Sequence, residues 1–138
     1  MAYEIVWEPE GILVQFSGHL AGRELVHAAR ETQGDSRFDE AHYVINDFTS
    51  LIGHGLGEDA LVELSALHYG AYASHPNCRI VFVTTDAELA TLVKRVLTAP
   101  EMASYQIAIM ESVTSARDWL DSQPDLHVMS NVMGFRLR

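Results

Sequence analysis

Apolar and polar positions alternate from Tyr3 to Glu8, break at Pro9-Glu10-Gly11, and resume as Ile12-Leu13-Val14-Gln15-Phe16. Period-two alternation around a turn predicts a β-hairpin, closed by Ser17-Gly18-His19. Leu20, Leu25, Ala28 and Ala29, interleaved with Arg23, Glu24, His27 and Arg30, then follow the helical period and stop near Gly34. Asp35 to Ala41 reads as a polar connection. Tyr43-Val44-Ile45-Asn46-Asp47-Phe48 predicts a buried strand ending on polar residues, followed by a glycine-rich loop, Gly53-His54-Gly55-Leu56-Gly57. A helix opening at Glu58-Asp59 carries Leu61, Leu64, Leu67, Tyr69 and Tyr72 and stops before His75-Pro76-Asn77. Arg79 to Thr84 is a nearly continuous apolar run, as expected of a parallel strand buried on both faces. A helix over Ala87 to Leu97, capped by Thr85-Asp86, a strand over Gln106 to Met110, and a helix through Leu120 with Ser112 as its cap complete the pattern.

The order ββαβαβαβα predicts an α/β fold, with an N-terminal hairpin and then a five-stranded, mostly parallel sheet with about four helices. A chain of 138 residues suits one domain over 1–138, with a core over about 3–121 and a C-terminal tail over 122–138. The tail, from Leu126 through Met129 and Met133 to Phe135, is too apolar for a solvated linker. It is expected to pack on this domain or on a neighbouring subunit, which makes a homodimer an expected assembly.

Charge narrows the partners. The net charge is −10 with histidine neutral, against the basic footprint that nucleic acid demands. No Lys or Arg falls between Arg37 and Arg79, so the central loop carries no fixed positive charge. The single cysteine, Cys78, rules out an internal disulfide and fits a small buried hydrophobe in a reducing compartment. Without a basic, apolar leader or an apolar run of about 20 residues, the expected location is cytoplasmic, with no transmembrane segment.

Val44-Ile45-Asn46-Asp47-Phe48-Thr49 and Gly55-Leu56-Gly57, set in this order of elements, resemble the STAS-like fold of bacterial anti-sigma-factor antagonists, the SpoIIAA-like proteins. The likeness covers roughly residues 3 to 121. It is greatest to the uncharacterised SpoIIAA-like branch, which is also similar in topology to CRAL-TRIO lipid-binding domains. The resemblance implies a regulatory, non-enzymatic module with a protein partner, and by the second likeness a carrier of a small apolar ligand or lipid. It also implies a phosphorylatable Ser or Thr where the central helix begins. His54, Gly55, Leu56 and Gly57 stand there instead, and the nearest hydroxyls, Thr49 and Ser50, come earlier in the chain.

Three kinds of chemistry were weighed on the residues themselves. Gly53-x-Gly55-x-Gly57 lacks the third glycine of a dinucleotide loop and the Gly-Lys-Ser/Thr of a phosphate loop, and Glu58 and Asp59 would repel phosphate. Asp47, Ser50 and His54 hold the side-chain types of a nucleophile triad without a hydrolase spacing. The seven histidines show no metal-ligand spacing, and His68 and His75, two helical turns apart, read as a surface stripe. No cofactor, metal or catalytic residue is therefore expected, and an enzyme using Asp47, Ser50 and His54 stands as an alternative to the binding module. The candidate binding residues are Asp47, Thr49, Ser50, His54 and Leu56. Tyr69, Tyr72 and Trp119 offer either core packing or a partner surface.

Overall fold

The computed structural model describes residues 3–98 and 104–126. The expected tail from residue 127 onward lies outside the described residues. Strands β1 (Tyr3–Trp7) and β2 (Ile12–Leu20) form the antiparallel hairpin. They are followed by α1 (Gly22–Gln33), a short 3-10 helix (Ser36–Glu40), β3 (Tyr43–His54) and α2 (Glu58–Ser74). The chain continues with β4 (Arg79–Val83), α3 (Ala87–Leu97), β5 (Gln106–Met110) and α4 (Val113–Ser122). The sheet order is β1-β2-β3-β4-β5, and every pairing after the hairpin is parallel. Among the described residues no helix is long and apolar enough to cross a membrane.

The strands advance in one direction across the sheet, so right-handed crossovers require α1, α2 and α3 to share one face. That face holds the larger core: Ile12, Val14 and Phe16 of β2, Val44 and Phe48 of β3, and Ile80 and Phe82 of β4, beneath Leu25, Leu61, Leu64, Leu89 and Val93. Phe16, Phe48 and Phe82 form an aromatic row across three strands, with ring centroids 5.1 and 5.8 Å apart. The opposite face is smaller. Leu13, Ile45, Val81 and Val83 pack there against Ala116 of α4, with Trp119 and Leu120 at the margin. Towards β1 this face turns polar, with Glu4 and Gln15 exposed, so a single helix suffices to cover it.

Several caps follow the sequence. Asp86 accepts from the backbone N–H groups of Glu88 and Leu89, and Ser112 from that of Ser115. Gly34 closes α1. Four expectations need correction. The connection after α1 is a 3-10 helix that buries Phe38. The second strand does not close at Ser17-Gly18-His19 but runs on to Leu20, with register shifts either side of Ser17-Gly18 and Gly18 at φ +70°. The third strand likewise does not stop near Phe48: residues 49–54 pair with the lengthened β2, and only Gly55 to Gly57 form the loop. His68 is not on the surface. It falls on the inward row of Leu61 and Leu64 and is 4% exposed.

Candidate docking site

β3 has twelve residues and its neighbour β4 has five. Pairing with β4 ends at Asp47 opposite Val83, whereas pairing with β2 continues to His54 opposite Leu20. The second half of β3 therefore projects with β2 beyond the C-terminal edge of the main sheet, the edge where open α/β folds place their ligands.

The candidate residues separate along this projection. The Asp47 carboxylate is buried and accepts from the Thr49 backbone N–H at 2.9 Å and the Thr49 hydroxyl at 2.7 Å. Asp47 and Thr49 thus form one local unit at the bulge, where the register against β2 changes. Ser50 is exposed. It lies four residues from His54 along the strand, roughly 13 Å at strand rise, and no hydrogen bond joins Asp47, Ser50 and His54 to one another among the described residues.

His54 is held from both ends. Its Nδ1 is 3.1 Å from the Leu56 backbone N–H and its Nε2 is 3.4 Å from Asp86 Oδ2. A backbone N–H only donates, so Nδ1 accepts and the ring proton sits on Nε2, facing Asp86. Hydrogen bonds from the start of α3, with Leu89 N–H foremost, hold the Asp86 carboxyl below its ordinary range. His54 therefore ties the end of β3 to the start of α3. Leu56 is buried and pins the loop to the core. Cys78 is also buried, and desolvation pushes its thiol up to about 12, far from a reactive thiolate. No group of three His, Cys, Asp or Glu among the described residues is placed to hold a metal ion.

α2 begins at Gly57 without a side-chain cap. Its inner row is Leu61, Leu64 and His68. Its outer row, Val62, Ala66 and Tyr69, is also apolar and runs i, i+4, i+7 along the solvent side. Among the described residues, the large hydrophobic residues that stand out in solvent are Ile52 at 79%, Val62 at 52% and Tyr69 at 51%, and all three lie on the β3 projection or on α2. Ion pairs flank the helix on both sides, Arg30 with Glu63 at 3.0 Å and Arg95 with Glu58 at 3.3 Å. Tyr72, by contrast, stacks edge-on with Tyr105 at 5.4 Å and packs against the larger core, while Trp119 of α4 packs against the smaller core. Sequence reasoning noticed Tyr69 but missed Ile52, because it placed residue 52 in a loop. The available signal for the outer row was a helix with apolar residues on both sides.

The structure of the anti-sigma factor antagonist SpoIIAA in its unphosphorylated form superposes with a TM-score of 0.61 at 9% identity, covering 88% of this chain and 100% of that one. The chain has the SpoIIAA-like fold. An uncharacterised DUF3478-family protein of Shewanella loihica PV-4 with a SpoIIAA-like fold also aligns, with a TM-score of 0.52 at 18% identity over 86% of this chain and 92% of that one. No family model and no curated protein matches the sequence.

Within this SpoIIAA-like scaffold two hollows stand apart from the projection. One is a cavity of about 20 Å³ under α1 and α2, far below the roughly 300–1,000 Å³ of ligand pockets. The other is an open cleft of about 600 Å³ near the start of the strands, lined by polar residues such as His42, Arg79, Arg117 and Asp121. Neither has the enclosed apolar shape that a lipid tail requires.

Proposed function

We propose that this domain is a non-enzymatic regulatory module that docks a protein partner on the β3 projection and the outer row of α2. One observation carries the reading: Ile52, Val62 and Tyr69, on consecutive elements, expose apolar area that burial against a partner would remove from water. Arg30 and Arg95 pair with Glu63 and Glu58 beside α2, and the net charge of −10 over the whole chain favours a partner with a basic rim. In this reading Ile52, Val62 and Tyr69 are the contacts. Asp47, Thr49, His54 and Leu56 fix the shape that presents them, and Ser50 lies on the exposed strand beside Ile52.

The triple variant Ile52→Lys, Val62→Lys, Tyr69→Lys tests it. All three residues are exposed, so each change should alter stability by no more than about 0.5 kcal/mol. A partner that co-purifies from the native host with the wild-type domain should be lost from the variant. A partner retained by the folded triple variant overturns the proposal. If the captured partner is a second copy of the chain, light scattering reports the dimer directly.

The start of α2 provides a second test. The module carries no hydroxyl there, so docking in this reading is not gated by a phosphate at the helix cap. Gly57 has φ −123°, open to any residue, and an added Cβ would meet nothing within 4 Å. Gly57→Ser is expected to raise stability by about a few tenths of a kcal/mol through capping. Thermal unfolding checks this, and a lowered midpoint would show that the hydroxyl cannot reach the helix amides.

A further inference from the structure

We propose that the small cavity enclosed by α1, α2 and the sheet is a built site for one water molecule, held by the imidazole of His68. The cavity offers about 20 Å³, enough for the centre of a single water and for nothing larger. Its walls are apolar in part, from Val14, Leu25 and Ile80, and such walls alone would leave it dry. They are interrupted by polar side chains, with Gln33 and Tyr105 at the lining and three more from three different elements: Thr32 of α1, Asn46 of β3 and His68 of α2. Thr32, Asn46 and His68 are buried.

His68 supplies the decisive observation. Its Nδ1 is fully buried and has no hydrogen-bond partner among the described residues. Buried polar atoms in folded proteins nearly always find a partner, either protein or ordered water. The ring borders the cavity, and the Tyr105 ring, which lines the same cavity, meets it edge-on at 5.8 Å. Thr32 donates its hydroxyl proton to the Ala29 carbonyl at 2.9 Å, which leaves the oxygen lone pairs free to accept. The Asn46 amide offers both a donor and an acceptor. A water between them therefore has the two to four partners that internal waters need. It links the inward face of α2 to α1 and to the central strand. The polar Asn46, set between the core residues Val44 and Phe48 on the same face of β3, acquires a role as one wall of this site.

A crystal structure of the wild-type domain, at a resolution that shows ordered water, tests the proposal. A full-occupancy water is expected at about 3 Å from His68 Nδ1, with a second contact to Asn46 or Thr32. An empty cavity, or density for something other than water, overturns the proposal. Water-relaxation dispersion in solution gives a second readout. His68→Asn keeps a polar atom near the Nδ1 position and should retain the long-lived water, whereas His68→Leu should lose one. Equal dispersion amplitudes for the wild type and a folded His68→Leu overturn the proposal. If that variant does not fold, the wild-type density decides alone.

Discussion

Lowering the pH from 7 to 4 destabilises the fold by about 3 kcal/mol, and replacing His68 by leucine removes that part of the loss. Burial pushes the His68 imidazole down from 6.5 to about 4. Between those values the unfolded chain binds a proton that the folded chain refuses. Stability therefore rises with pH: the His68 contribution is complete above about 6.5 and is lost as pH falls towards about 4. A displacement of about 2.5 units at 1.36 kcal/mol per unit gives the magnitude. The physical cause is that burial inside the α1–α2 core takes the positive ring out of bulk water. Urea unfolding at a series of pH values measures the slope. A wild-type stability that stays flat between pH 6.5 and 4.5 would refute the assignment. The window matters, because carboxylates act lower. Glu8, held below its ordinary value chiefly by its hydrogen bonds to Arg117, contributes stability that is present above the carboxylate range and lost as pH falls through its own lowered pKa. A His68→Leu variant should keep that lower acid limb and lose the upper one.

Glu8→Ala should cost about 2 kcal/mol at pH 7, as expected for losing charge-assisted hydrogen bonds in a partly buried site. The Glu8 carboxylate receives both arms of the Arg117 guanidinium, at 3.0 and 2.7 Å, together with the Tyr43 hydroxyl. The Glu8 side chain is 17% exposed and that of Arg117 is 42% exposed, so water screens the cation and keeps the cost below that of a fully buried pair. The three groups come from the end of β1, the start of β3 and α4, and Glu8 and Arg117 are 109 positions apart. They clamp α4 to the hairpin. Tyr43 is seated by contact with Gly11, where an added Cβ would come within 2.5 Å of its ring. Burial foremost pushes the Tyr43 phenol up to about 12, so it remains a donor throughout the working range. Chemical denaturation of Glu8→Ala and Arg117→Ala, singly and together, measures the coupling. Strictly additive losses would show that the pair is only a surface contact.

Much of this architecture was legible from local pattern. The hairpin, the apolar β4, the Asp86 and Ser112 caps and the limits of α3 and β5 each depend on a few neighbouring residues. Their physics is therefore present in the sequence. The projection of β3 was not legible in the same way. Residues 49–54, with Gly53 among their polar neighbours, have the composition of a loop. They become strand only because the lengthened β2 lies alongside and supplies the hydrogen bonds. The candidate site changed for the same reason. Asp47, Ser50 and His54 are near in sequence, but an extended strand carries them apart, and each except Ser50 takes a structural partner elsewhere.

By itself, the sequence determined the class of fold, the order of its elements and an acidic character that disfavours nucleic acid. Those properties come from periodicity, turn chemistry and summed charge, which need no knowledge of distant contacts. Only the tertiary structure decided which side of α2 faces the core, that His68 belongs to the inner row, and that Glu8 meets Arg117. Burial and partnership are properties of three-dimensional neighbours. A helix with apolar residues on both sides does not disclose which side the sheet will cover.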